Sequence, residues 1–393
     1  MFPFTYLRRH TAMRRLGRRL ERSFKTWIYR ALPKSSRSPR PASPDTLAGV
    51  RHVLLVRPNF RIGNAVIGAR LIQAFAEGRP EIEIDYLGTD TTRALFDGMP
   101  LARYHALSRS MLVRPWKLIQ LLIRLRRRKY DLTIQIGEGS LTSWLLIQLC
   151  GARQSLGQRG RLEASYDWVS DVSPPHAHEL ASSLAASLGL ACASRPWLVV
   201  SEQESRSAAA RLAGFSGQQA PIGIFVGGHL DKRLPLEFWQ ELLRGLEQHR
   251  QPHLVLLGPE EAALHTPLKS ACGEFGHVLP RMPLRDFLAV LANLRRLITP
   301  DTGPMHMAAA LEIPILALLQ VKGSRKFAPK GPNDLILFRP TPAEVAEEAS
   351  ATLCPCLPLS ARDHGSHLTP RLAAGKSAHP TGGNDTPHAY PAG

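Results

Sequence analysis

Short apolar runs alternate with helical segments along two stretches of this chain, and that alternation restricts the available folds more than any other feature. In the first stretch, residues 51–56, 81–87 and 131–136 read as buried strands. Between and after them, 64–77, a short segment near 91–96, 116–128 and 141–150 read as helices. A second series begins after residue 220, with strands at 222–226, 253–257, 277–279, 295–298 and 314–319. Its helices fall at 236–249, 260–271, 284–291 and 304–311. Strands that alternate with helices pack as parallel sheets covered on both faces. The expectation is an α/β protein with two Rossmann-like domains facing a cleft, joined near 190–220. In such sheets ligands sit beyond the carboxyl ends of the strands. The boundaries read as 1–46 (basic arm and linker), 47–195, 196–350 and a disordered tail at 351–393, for a chain of 393 residues.

Charge is concentrated at one end. Residues 1–45 hold 12 Lys and Arg against Glu21 and Asp45, so +10 of the net +18 lies there. Within that arm, Met13, Leu16, Leu20, Phe24, Trp27 and Ile28 recur at helical spacing, with arginines on the other faces. A basic amphipathic helix of this kind, over residues 1–32, suits an anionic membrane surface. Docking on the protein's own body is the alternative. Prolines and serines at 33–46 read as a flexible linker. The mildly basic remainder argues against a nucleic-acid partner. No apolar run reaches the length of a membrane span, and no signal-peptide core follows the basic residues. Cys150, Cys192, Cys272, Cys354 and Cys356 have no ligand-like grouping, so reduced thiols and no metal are expected.

Four loops carry the chemistry. After the strand at 295–298 comes Thr299-Pro-Asp-Thr-Gly-Pro-Met-His306. Thr302 can cap the helix, Pro304 suits its first turn, and Gly303 lets a ligand approach the backbone. The free N–H groups and positive dipole end make a phosphate seat, and Asp301 could accept hydrogen bonds from hydroxyls of the same ligand. Capping alone is the competing explanation. The loop Gly227-Gly-His-Leu-Asp-Lys232-Arg-Leu-Pro235 offers a point charge for phosphate at Lys232, unless that lysine is merely solvated. In Gly258-Pro-Glu260-Glu261, Glu260 either meets a ligand or complements a helix dipole. In Arg57-Pro-Asn-Phe-Arg-Ile-Gly-Asn64, Arg57 and Arg61 could meet an acidic substrate.

These loops, with Leu279-Pro-Arg-Met282, the opening stretch 51–76 and the run Tyr130-Asp-Leu-Thr-Ile-Gln135, resemble glycosyltransferase family 9. That family contains the bacterial ADP-heptose:lipopolysaccharide heptosyltransferases. The similarity covers roughly residues 50–340. The resemblance implies a GT-B fold and transfer of a sugar from a nucleotide diphosphate donor such as ADP-heptose, without metal or other cofactor. It implies inversion at the sugar carbon, a lipopolysaccharide core or related glycolipid as acceptor, and a place at the cytoplasmic face of the inner membrane. By the family's motifs, Lys232 would touch the donor phosphates, Glu260 the ribose and Met282 the base. Asp301, Thr302 and Gly303 would bind the diphosphate-sugar, and His306 falls at the motif histidine.

One position departs from the pattern. The family's general base is the aspartate of a Gly-Asp pair, where this chain has Gly63-Asn64. An amide cannot take a proton as a carboxylate does. Either Asn64 positions the acceptor while Glu138, in Gly137-Glu-Gly139, serves as base, or proton loss is late and solvent-assisted. Otherwise the chain binds a nucleotide sugar at the membrane without transferring it. Asn64 could also be a turn residue that caps its helix.

Overall fold

A computed structural model of the protein describes residues 38–351 apart from 138–139, 161, 172–175, 193–196 and 215–218. The basic arm, the tail from 352 and Glu138 therefore lie outside the described residues. The chain runs β1 (Arg40–Pro41), β2 (His52–Val56), α1 (Ile62–Gly78), β3 (Glu83–Thr89), β4 (Arg103–Leu107), α2 (Pro115–Arg127), β5 (Leu132–Gln135), α3 (Leu141–Cys150), β6 (Gln154–Gln158) and β7 (Trp168–Ser170). Helices α4 (Leu180–Ser187) and α5 (Glu202–Leu212) lead to β8 (Ile222–Phe225), α6 (Leu236–Gln248), β9 (His253–Leu256), α7 (His265–Lys269), β10 (Gly276–Val278) and α8 (Leu284–Ala292). Then come β11 (Arg296–Pro300), α9 (Gly303–Ala310), β12 (Ile315–Leu319), β13 (Leu335–Phe338) and α10 (Pro342–Ser350).

The strands form a seven-stranded sheet in the order β1-β7-β6-β5-β2-β3-β4 and a six-stranded sheet in the order β10-β9-β8-β11-β12-β13. Every pairing among the described residues is parallel. Strand order reverses between β2 and β5 in the first sheet and between β8 and β11 in the second. These are the points where doubly wound sheets open a crevice for ligands. The loops singled out in the sequence at 57–64, 227–235 and 301–303 leave from these strands.

Central strands such as β9 and β12 are buried along their whole length, as parallel strands with both faces covered require. One apolar core runs through both sheets, from Val53 and Ile134 to Leu254 and Ile315, with Ala65 and Ala69 of α1 and Met305 and Ala308 of α9 between them. The connection between the sheets is pinned to the same helix pair. The Trp197 backbone N–H donates to the Ala310 carbonyl (3.0 Å) and its indole N–H to the Val66 carbonyl (2.9 Å).

Several expectations change. The supposed linker is ordered from residue 40: β1 pairs with β7, and Thr46 and Leu47 are buried just beyond it. A proline is tolerated there because β1 is an edge strand. The helix expected at 64–77 begins at Ile62 with Arg61 as N-cap, so Asn64 is its third residue and not its cap. The helix expected at 260–271 is a 3-10 turn at Ala262–Leu264 followed by the short α7. The segment near 91–96 is also 3-10.

Candidate functional site

Each loop at the site is shaped by contacts its backbone requires. Beyond β8 the chain doubles back, and a Cβ on Gly228 would lie 2.9 Å from the Arg233 Cα. The resulting 3-10 turn, Leu230–Lys232, aims Lys232 at the end of β11. There its Nζ donates to Asp301 Oδ2 at 2.5 Å. Asp301 is nearly buried while Lys232 keeps 29 % of its side chain exposed, so the cation stands at the mouth of the site. Phe327 flanks it, with its ring centre 5.8 Å from the lysine nitrogen.

At α9 the threonine occupies the N-cap position without using its hydroxyl for capping. Thr302 Oγ1 instead donates to the Pro300 carbonyl (3.2 Å) and pairs with Thr299 Oγ1 (3.0 Å). That leaves the first-turn N–H groups without a side-chain cap, and such a helix start accepts an anion readily. At Gly303 a Cβ would meet Ile62 at 3.2 Å, so the missing side chain lets α1 pack against this turn. Gly63 makes the reciprocal contact: a Cβ on it would overlap the His306 ring. The first turns of α1 and α9 thus touch, and Asn64 stands one residue from that contact.

His306 is buried beneath this junction and bonded through Nδ1 to His178 Nε2 at 3.0 Å. Desolvation first, then the Lys232 charge, pushes the His306 pKa down to about 4. Burial and the neighbouring His306 push His178 down to about 3. Both rings are neutral at pH 7. His178 also bonds the Phe327 backbone carbonyl, so it spends its N–H there and His306 donates from Nδ1. The lone-pair nitrogen of His306, Nε2, then lies 3.9 Å from Asp301 Oδ1. The sequence reading did not single out His178, and the His-x-His run at 176–178 was the only signal for it.

The acids at 260–261 divide unequally. Glu260 is 73 % exposed on its side chain and lies 3.8 Å from Arg233. Glu261 is buried and accepts from Arg233 Nη2 at 3.3 Å and from the backbone of Gly228 and Gly258. Burial holds its carboxyl above the usual range. Glu261 therefore braces two glycine loops, and Glu260 remains at the rim. Met282 is half-buried against the common core.

On the first-sheet side, Arg57 is committed to the framework. Its Nε donates to the Asn64 carbonyl (2.7 Å) and its Nη1 to the Ile136 carbonyl. A Cβ on Gly137 would collide with that guanidinium. Arg61 is exposed beside it, with its N–H held by Asn59 Oδ1 at 2.9 Å. The structure thus brings Lys232, Asp301, Thr302, Gly303 and His306 to the turn that carries Asn64. It leaves Glu260 and Met282 outside those contacts.

Two parallel sheets of Rossmann order, meeting at their switch-point loops, define a GT-B glycosyltransferase architecture. The sequence profile of glycosyltransferase family 9 (heptosyltransferase) matches residues 118–353. The chain belongs to that family and is a glycosyltransferase. Among solved structures it is similar to the family 9 glycosyl transferase of Veillonella parvula, with TM-score 0.65 and 16 % identity over 73 % of this chain and 87 % of that one. It is also similar to E. coli heptosyltransferase WaaC with ADP, with TM-score 0.63 and 20 % identity over 76 % of this chain and all of the other. E. coli ADP-heptose lipopolysaccharide heptosyltransferase II gives TM-score 0.62 and 20 % identity over 76 % and 97 % of the two chains. No curated protein matches the sequence.

Proposed function

We propose that this enzyme moves a heptose-like sugar from a nucleotide diphosphate donor to a lipopolysaccharide core or related glycolipid, with inversion and without a metal. The observation that carries the reading is the Lys232–Asp301 pair set at the uncapped first turn of α9. The similar E. coli WaaC structures hold ADP and ADP-2-deoxy-2-fluoro heptose, which favours an adenosine diphosphate donor. In the reaction an acceptor hydroxyl oxygen bonds to the anomeric carbon as the bond from that carbon to the diphosphate oxygen breaks. One such displacement inverts the centre. Charge building on the leaving diphosphate is met by Lys232 and the helix N–H groups, which supply the role a metal would otherwise play. Asn64 orients the acceptor hydroxyl from the facing turn, and its proton passes late to solvent. Among the described residues no helix is long and apolar enough to cross a membrane. The glycolipid reading places the enzyme at the cytoplasmic face of the inner membrane, with residues 1–32 on its surface.

A thermal-shift series with nucleoside diphosphates and nucleotide sugars tests this, because a ligand that binds only the folded state raises the melting temperature by mass action. Stabilisation by ADP and ADP-sugars is the expected result. No shift with any diphosphate would remove the donor site. Binding without transfer to any glycolipid would leave a nucleotide-sugar-binding protein at the membrane.

A further inference from the structure

Helix α2 buries Leu121 and Leu125 against Tyr130 and Trp144 of the first-sheet core. A separate stripe of the same helix, Trp116, Ile119 and Ile123, faces solvent at 55 %, 56 % and 44 % exposure. Val113 just before the helix and Leu145 on α3 extend that apolar surface. Between the stripe and α3 lies a cavity of about 250 Å³, lined by Leu118, Leu122, Leu149, Phe60 and Met111. The chain from Ser108 to Tyr130 has no acid and carries Arg109, Arg114, Lys117, Arg124, Arg126 and Arg127 beside it, while Arg128 is engaged by Glu83 and Asp85. Arg109 stands over the Phe60 ring at 4.7 Å, at the cavity edge.

We propose that this face docks on an anionic lipid bilayer. Trp116, Ile119 and Ile123 enter the acyl region, an acyl chain end occupies the cavity, and the surrounding cations meet lipid phosphates. Aromatic and aliphatic groups ringed by Lys and Arg are the chemistry an interfacial helix uses. Charge selects this occupant over the others. The N-terminal arm, at +10 over residues 1–45, and a second copy of the same basic face would each bring like charge against it. The inference goes beyond the transfer reaction, since it names a contact surface on the folded body, distinct from the arm. It also sets Phe60, four residues before Asn64, next to the bilayer.

The test uses the full chain and vesicles of phosphatidylcholine and phosphatidylglycerol carrying brominated acyl chains. Vesicle-bound protein is expected to show bromine quenching that falls in Trp116→Phe, with Trp27 of the arm accounting for what is left. The pair Ile119→Glu with Ile123→Glu is expected to lower partitioning about tenfold or more while calorimetric donor affinity stays unchanged. Donor affinity is a separate readout, so failure of docking and failure of the transferase reading are told apart. Bound protein whose quenching is the same in Trp116→Phe would overturn the proposal. So would undiminished vesicle binding by the glutamate pair, or a dimer in sedimentation velocity that the pair abolishes without changing vesicle binding.

Discussion

Gly63 lies so close to the His306 ring that no side chain fits between them. Gly63→Ala must therefore displace His306 or part the two helices. Overpacking of this kind costs about 1–3 kcal/mol, read from the denaturant midpoint. A midpoint equal to that of the wild type would mean the junction yields freely.

Lys232 and Asp301 act as one charged unit. Lys232→Met should weaken nucleotide-diphosphate binding by about 1.5–3 kcal/mol, the scale of a charge-assisted contact. Asp301→Ala should also weaken it, and the two losses should not add, because the residues share a hydrogen bond. Calorimetry on the single and double variants measures the coupling. Strict additivity would separate them.

Protonation of the histidine pair opposes folding. The folded-state values of about 4 for His306 and about 3 for His178 lie below the ordinary 6.5. The unfolded chain therefore binds more protons between these limits. The contribution is complete above pH 6.5 and is lost as pH falls toward 4 and then 3. Unfolding free energy measured between pH 7 and 5 should fall more steeply in wild type than in His178→Gln. Parallel profiles would show that the His178 ring is not held neutral.

Asn64 sits in the first turn of α1, where aspartate is tolerated by the helix dipole. Asn64→Ala should slow transfer and leave donor affinity nearly unchanged. If the missing carboxylate limits the rate, Asn64→Asp should raise transfer by about two to four orders of magnitude. A large loss of rate in Glu138→Gln would instead assign proton removal to that carboxylate.

Arg57 holds two backbone carbonyls with a guanidinium whose pKa burial lowers. Arg57→Met should destabilise the protein by about 3–5 kcal/mol, since buried acceptors lose a charged donor. Its effect on acceptor binding should follow from that loss of stability, which a comparison at low temperature would separate.

Much of this could be read from residues alone, and the omissions have physical causes. Strands β9 and β12 announce themselves because both faces are covered. By contrast, β6 offers one large apolar side chain, Leu156, and β4 is a half-exposed edge strand with Arg103 and His105. Helix α5 was missed although Ser201 and Glu204 form a capping box, a spacing visible in the sequence. At the site, the loop motifs located Lys232 and Asp301, but sequence order could not show that they pair across 69 residues. Nor could it show that Gly303 faces Ile62, or that Glu261 is the buried acid and Glu260 the exposed one.

Helices α1 and α9 are joined at two places, by glycine contact at their first turns and by Trp197 between Val66 and Ala310. Sliding α1 along α9 would break the glycine contact or the Trp197 hydrogen bonds, so the offset between the turns that carry Asn64 and Asp301 is set by the packing of this helix pair.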